Sequence, residues 1–123
     1  MEEYKYWIEQ AEADFRKAKI LFDNQQYDGA SFYSQQTAEK SLKALIIKKS
    51  GELWKIHDLV ILGRKAGITE ELLKKCKRIS QIYATSRYGV FGDKIPARIF
   101  NKENSKEYIK IAKEILEWVK KMI

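Results

Sequence analysis

The sequence predicts an all-α protein, an up-and-down bundle of four main helices plus one short helix, and three observations support this fold class. Apolar residues recur at helical spacing in each of the main segments. The chain has a single proline and is rich in Lys, Glu, Ile, Leu and Ala, which favours helices. No segment shows the alternation of apolar and polar residues that is typical of a strand. We therefore expect one helical domain over residues 1–123.

The first half of the chain predicts two long helices. The first spans about Glu3–Phe22 and ends at an Asp-Asn-Gln break. The second begins near Tyr27, with Asp28 as its expected N-cap, and ends at Gly51, which can take the left-handed turn. Because the link between the two helices is short, we expect an antiparallel helical hairpin.

The second half predicts the remaining helices. A short helix is expected around Ile56–Lys65, bounded by glycines, and Thr69 marks the start of the next one. The helical pattern fails over Tyr88–Glu103, where two glycines and the only proline lie. Asn104 with Glu107 three residues later resembles a capping box that opens the last helix.

Composition and cysteine usage limit the class of protein. With 123 residues, 45% hydrophobic and 33% charged, the chain can bury a core without metal or disulfide staples. The lone Cys76 has no internal partner and lies at apolar helical spacing, so we expect it in the core of a protein from a reducing compartment. No signal peptide is expected after Met1-Glu2-Glu3, and no apolar run approaches the roughly 20 residues that span a bilayer. These features predict a cytoplasmic protein with no membrane partner.

The net charge of +7 is unevenly distributed. Residues 1–40 carry five basic and eight acidic side chains, whereas residues 41–123 carry nineteen basic and nine acidic ones. A basic region of this size is able to attract RNA through counterion release. The alternative is that scattered lysines only solvate the helix faces, as in many Lys- and Glu-rich proteins.

The most unusual segment is the second helix, Tyr27–Ile47, which mixes small and polar residues. Small side chains allow another helix to approach closely and indicate a helix–helix contact, of which a dimer seam is one form; they are Ala30, Ser34, Thr37, Ala38, Ser41 and Ala44. Glu39 and Lys43 stand four apart and predict a surface ion pair. Gln36, Lys40 and Lys43 lie along one side and are candidate donors to a phosphate or a facing subunit, unless that face is simply solvated.

Two other residues are candidates for chemistry. Arg87 follows a predicted helix and precedes two glycines, so its guanidinium could clamp a phosphate, or it could bond its own helix end or pair with Asp93. His57 is the only histidine and is a potential general base, although a histidine before Asp58 at a helix start is commonly a cap or packing element. One His and one Cys make no zinc site, and no Gly-rich phosphate loop is present, so we predict no metal and no cofactor.

Several segments in order resemble a prokaryotic member of the HEPN family (higher eukaryotes and prokaryotes nucleotide-binding domains). They are AEADFRKAKIL, YDGASFYSQQTAEKSLKAL, the His57-Asp58-Leu59 triplet and Ser86-Arg87-Tyr88, of which the Gln-Gln-x-Ala-Glu-Lys-x-Leu-Lys-Ala run is the most distinctive. The resemblance implies a helical bundle that forms a homodimer. It also implies that the protein is the toxin-like partner of a minimal nucleotidyltransferase.

Active members of this family are metal-independent ribonucleases with an Arg followed four to six residues later by His. Arg87 matches the Arg, but no histidine follows it, and Asp93 stands six residues on. The resemblance therefore implies a nucleotide- or RNA-binding protein with a degenerate ribonuclease motif, in which Tyr88 packs locally, stacks on a base or accepts an adenylyl group. The alternatives are a non-catalytic module that holds a nucleotidyltransferase, or a ribonuclease that uses Arg87 and His57.

Overall fold

The computed structural model describes residues 2–83, 85 and 95–123, and within this part it contains no strand. The all-α bundle is confirmed, with four main helices and a short α3. One additional turn, α5, precedes the last helix. The helices with defined bounds are α1 (Glu3–Asp23), α2 (Tyr27–Ser50), α3 (Leu59–Ala66), α4 (Glu70–Ser80), α5 (Pro96–Ile99) and α6 (Lys102–Met122).

Helix α2 is the centre of the bundle. It packs against α1 along most of its length, and α6 and α3 cover other sides. None of the helices in the described residues is both long and apolar enough to cross a membrane.

The start of α2 differs from the prediction. Its N-cap is Gln26 and not Asp28, because the Gln26 carbonyl already accepts a hydrogen bond from the Ala30 amide at 2.9 Å. Asp28 instead lies in the first turn, where its carboxylate faces the positive end of the helix dipole. The preceding turn is tight, and Gln25 adopts a left-handed backbone with φ 63°.

Helix α3 begins three residues later than predicted. The Asp58 side chain accepts hydrogen bonds from the amides of residues 60 and 61, which makes Asp58 the N-cap. The first helical residue is therefore Leu59. Gly63 lies inside the helix and does not end it. A Cβ added at Gly63 would come within 2.6 Å of the Ile68 side chain, so the chain packs closely there. Gly67, with φ 78°, is the C-cap.

The last helix begins earlier than predicted. Asn101 is its N-cap, and the Asn101 and Asn104 side chains each accept a hydrogen bond from the other's backbone amide, at 2.9 and 2.8 Å. The capping box is therefore Asn101 with Asn104, and not Asn104 with Glu107, because the Asn104 side chain accepts from the Asn101 amide. The first part of the segment predicted to leave the helical pattern, residues 88–94, lies outside the described residues.

The small residues of α2 are completely enclosed within a single chain. Ala30, Ser34, Thr37, Ala38, Ser41 and Ala44 are each 0% exposed. The predicted close helix–helix contact is thus made inside the bundle, and a dimer seam formed by these residues is wrong, because they have no accessible surface. The homodimer itself stays a prediction.

One buried hydroxyl of α2 has no hydrogen-bond partner among the described residues, that of Ser31. By contrast, the Ser41 hydroxyl donates to the Thr37 carbonyl at 2.7 Å. We expect Ser31→Ala to raise the free energy of unfolding by about 1 kcal/mol, because it removes an unsatisfied polar group and improves helix propensity. Ser41→Ala is the control and should gain less or lose stability. Urea unfolding followed by tryptophan fluorescence measures both, and a Ser31→Ala variant no more stable than the unchanged protein or than Ser41→Ala would contradict the expectation.

Cys76 lies in the core, as predicted, and burial raises the pKa of its thiol from 9.0 to about 12. A raised pKa means that the contribution of this thiol to stability is fully present below about pH 9 and is lost as the pH rises towards 12. We expect the native thiol to resist a disulfide reagent at about pH 8 and to react completely in urea. Rapid reaction of the folded protein would show that the thiol is accessible.

Candidate functional site

A buried carboxylate, that of Glu39 on α2, is the centre of a polar cluster that includes the only histidine of the chain. The Gln35 amide donates to its Oε1 at 3.0 Å, and the Lys43 ammonium donates to its Oε2 at 2.9 Å. The third partner is His57, whose Nδ1 lies 3.0 Å from Oε2. Glu39 is only 3% exposed. We call these four residues the Glu39 cluster.

Three of the four members come from one row of α2. Gln35, Glu39 and Lys43 follow each other at intervals of four, so their side chains lie one above the other on the same face. The predicted surface pair between Glu39 and Lys43 exists but is buried, with side chains 5% and 6% exposed, so its assignment to the surface is wrong. Packing against the rest of the bundle encloses it, and the Trp7 ring lies 5.8 Å from the Lys43 ammonium.

His57 belongs to the connection between α2 and α3 and is partly accessible. Its side chain is 49% exposed and stacks on the Tyr83 ring, with 4.1 Å between centroids and 14° between planes. The Phe32 ring continues this stack, and its centroid lies 6.5 Å from that of Tyr83. The ring plane and one edge of His57 are thereby held, while the ring still reaches solvent.

Local caps hold the backbone around His57. Asp58 caps α3, and the Leu59 amide donates to the Ser80 hydroxyl at the end of α4, at 3.1 Å. Of the two structural roles expected for His57, that of the helix cap belongs to Asp58 instead, whereas the His57 ring does pack against another side chain, that of Tyr83. The imidazole itself takes no part in this cap and contacts Glu39 and Tyr83.

The chemistry of this arrangement follows from the acceptor. A carboxylate only accepts hydrogen bonds, so the contact between Glu39 and His57 is a hydrogen bond when Nδ1 carries a proton. In a neutral imidazole the other nitrogen, Nε2, then has a free lone pair. A half-exposed imidazole whose Nδ1 contacts a buried carboxylate is an arrangement that suits a general base.

A second buried carboxylate, that of Asp14 on α1, forms a separate cluster. Lys40 of α2 donates to Asp14 at 2.5 Å, and Gln10 donates at 2.9 Å. Asp14 is 1% exposed, and the Lys17 ammonium lies 3.6 Å away. This cluster ties α1 to α2 and includes no histidine.

The three candidate donors of α2 are thus all engaged in the bundle. Lys43 is buried in the Glu39 cluster, Lys40 is half-buried and paired with Asp14, and Gln36 donates to the Gln35 side chain at 2.8 Å. Binding of phosphate by these groups stays a prediction. Lys43 is the least available of the three for direct contact with a phosphate, because its side chain is buried.

The structure brings His57 together with the polar part of α2. The other predicted site residues, Arg87, Tyr88 and Asp93, lie outside the described residues, and their roles stay predictions. Two groups were missed from the sequence, Glu39 as the partner of His57 and Tyr83 as its ring partner. The spacing of Gln35, Glu39 and Lys43 was a visible signal, whereas nothing local pointed to Tyr83. Among the described residues no three His, Cys, Asp or Glu side chains are grouped as metal ligands would be.

The burial of the Glu39–Lys43 pair predicts a large cost for breaking it. We expect Glu39→Ala to lower the free energy of unfolding by about 3–5 kcal/mol, because it leaves the Lys43 ammonium buried and unpaired. Replacing both residues by Met should cost much less, since no charge then remains buried. Lys113→Ala, which breaks an exposed pair with Glu117, is the control and should cost less than about 1 kcal/mol. Chemical unfolding of these variants tests this, and equal costs for Glu39→Ala and Lys113→Ala would contradict it.

Similar proteins extend along almost the whole chain. The protein named "Putative toxin MJ1304" from Methanocaldococcus jannaschii is 28% identical over an alignment 132 residues long. The alignment covers 94% of this chain and 85% of that protein. The crystal structure of TT1696 from Thermus thermophilus has a TM-score of 0.90 at 26% identity and covers all of both chains. The crystal structure of ST0689, described as an archaeal HEPN homologue, has a TM-score of 0.79 at 30% identity and covers 97% of this chain and 96% of that one.

The family is shown by the sequence as well as by the fold. The family model of the HEPN domain matches residues 4–122, which include every member of the Glu39 cluster. The resemblance carried by the Gln-Gln-x-Ala-Glu-Lys run is thereby confirmed. The chain belongs to the HEPN domain family.

Proposed function

We propose that this chain is a toxin-like HEPN protein that binds RNA or a nucleotide at the surface around His57. The observation that carries this proposal is an accessible imidazole held by a buried carboxylate and stacked on an aromatic ring. The relative from Methanocaldococcus jannaschii, which bears the name of a toxin, supports the toxin-like part.

The binding part of the proposal has two physical supports. Exposed rings such as His57 stack on unpaired bases, which is how many proteins hold single-stranded RNA. The basic excess of the chain supplies attraction to phosphates, and several exposed lysines have no ion pair among the described residues: Lys74, Lys77, Lys102, Lys106 and Lys110. Arg87 and Tyr88, four and five residues after Tyr83 in the sequence, are the proposed phosphate clamp and second stacking ring.

Metal-independent cleavage of RNA is a second candidate function, favoured by the hydrogen bond between Glu39 and His57. In this reaction Nε2 of His57 takes the proton of a 2′-hydroxyl, and the 2′-oxygen attacks the adjacent phosphorus. The bond from phosphorus to the 5′-oxygen breaks, the leaving oxygen takes a proton from solvent, and a 2′,3′-cyclic phosphate results. Arg87 is the proposed cation for the charge that develops on the phosphate.

A nucleotidyltransferase partner is proposed from the family resemblance alone. In that case the missing histidine after Arg87 reflects a role in holding the partner, and the protein should copurify with the transferase without cleaving RNA.

The binding proposal is tested with single-stranded RNA and fluorescence anisotropy. We expect binding at about 50 mM salt that weakens at least tenfold at about 200 mM salt, because bound phosphates release counterions. Arg87→Ala should weaken binding, whereas Arg16→Ala, which removes an exposed arginine of α1, should not. Absence of binding at low salt by the folded protein would overturn the proposal.

The cleavage candidate is tested with the same RNA in the presence of EDTA. We expect His57→Ala and Arg87→Ala each to reduce cleavage by about 100-fold or more, since each removes a group required in the transition state. Arg16→Ala should cleave like the unchanged protein. Cleavage that survives His57→Ala would remove His57 from the reaction, and binding without any cleavage would leave the protein a binding module.

A further inference from the structure

We propose that Glu39 is a positioning residue that holds a proton on Nδ1 of His57 and so leaves Nε2 free to act as a base. The position of the proton is inferred from the contacts of the Glu39 cluster alone. Its use in RNA cleavage rests on the proposed function. Glu39 touches no substrate in this proposal and acts only through His57.

The hydrogen-bond partners of Glu39 determine the direction of its bond to His57. Gln35 donates to one carboxylate oxygen and Lys43 to the other, so both oxygens already serve as acceptors. The same Oε2 that receives Lys43 lies 3.0 Å from Nδ1. A proton on Nδ1 makes His57 the third hydrogen-bond donor to the Glu39 carboxylate. An unprotonated Nδ1 would instead place a lone pair against a carboxylate oxygen, which is repulsive.

Two contacts together orient the ring. Stacking on Tyr83, at 14° between planes, holds the plane of the imidazole, and the bond to Glu39 holds its rotation within that plane. Nε2 is then on the part of the ring that does not face Glu39. Because the side chain is 49% exposed, a ligand can reach the ring.

A purely structural role explains this arrangement less well. The connection between α2 and α3 is already anchored by the Asp58 cap and by the bond from Leu59 to Ser80, neither of which involves the imidazole. The pair of the buried Asp14 with the half-buried Lys40 ties two helices together without contacting a histidine. A buried charge is costly to keep, and in the Glu39 cluster it is directed at an accessible titratable ring.

The proton position is measured directly by NMR, because His57 is the only histidine in the chain. We expect long-range ¹H–¹⁵N spectra of the folded protein at about pH 8 to show the tautomer with the proton on Nδ1. In Glu39→Met/Lys43→Met, which removes both charges and the acceptor, the ring should change to the Nε2-protonated tautomer that free histidine prefers. Asp14→Asn, which disturbs the other buried acid, should keep the Nδ1 proton. A proton on Nε2 in the unchanged protein, or no change in the double variant, would overturn the proposal.

The role in cleavage is measured separately from the tautomer. We expect Glu39→Met/Lys43→Met to lower kcat roughly tenfold or more relative to Lys43→Met, with little change in KM, because the wrong tautomer presents a proton where a lone pair is needed. Glu39→Asp should recover part of the loss if its shorter carboxylate still accepts from Nδ1.

The two proposals fail in different ways. If the ring carries its proton on Nδ1 but His57→Ala cleaves normally, the ribonuclease function fails and the positioning of His57 by Glu39 remains. If cleavage requires His57 but the double variant keeps the kcat of Lys43→Met, the function stands and the positioning role is overturned.

Discussion

The structure depends on one constraint, which is that the central helix α2 is enclosed on nearly every side and has to find partners for most of its polar side chains within the chain. Its hydroxyls at positions 34, 37 and 41 donate to carbonyls one turn earlier. Its charged residues at positions 39, 40 and 43, which are largely enclosed, have partners of opposite sign. Glu39 and Lys43 therefore pair with each other, and Lys40 pairs with Asp14 of α1. The bundle is held together around these pairs as well as around its apolar core.

The same constraint explains how an internal charge reaches a surface residue. A buried carboxylate can accept more hydrogen bonds than one lysine and one amide supply, and the remaining capacity of Glu39 is used by His57 from the connection before α3. Glu39 thus has two roles, because its carboxylate pairs with the charge of Lys43 in the core and also contacts the only histidine of the chain. The rings of Tyr83 and Phe32 extend the arrangement beyond the imidazole. Small side chains elsewhere on α2 are used for close packing between helices and leave the polar row undisturbed.

The family resemblance implies a histidine four to six residues after Arg87, and this chain has none there. In the proposed cleavage reaction His57, from the connection before α3, is the base, since no histidine follows Arg87. His57 is held as a base would be held, by a carboxylate at Nδ1 and an aromatic face. Its partner Glu39 belongs to the most distinctive run of the sequence.

The sequence by itself determined the fold class, the bounds of α1 and α2 to within a few residues, the core position of Cys76 and the family. These follow from apolar periodicity, from glycine and cap residues, and from a distinctive local run, all of which are written over short stretches of chain. It misplaced the N-cap of α2, where Gln26 is not a common cap residue, and that of α6, where Asn101 and Asn104 are both suitable cap residues. Only the tertiary structure decided that Glu39 and Lys43 are buried and that Glu39 binds His57, eighteen residues away. The physical reason is that an i, i+4 ion pair has the same spacing on a solvated face and on an enclosed one, so burial depends on which helices pack against it.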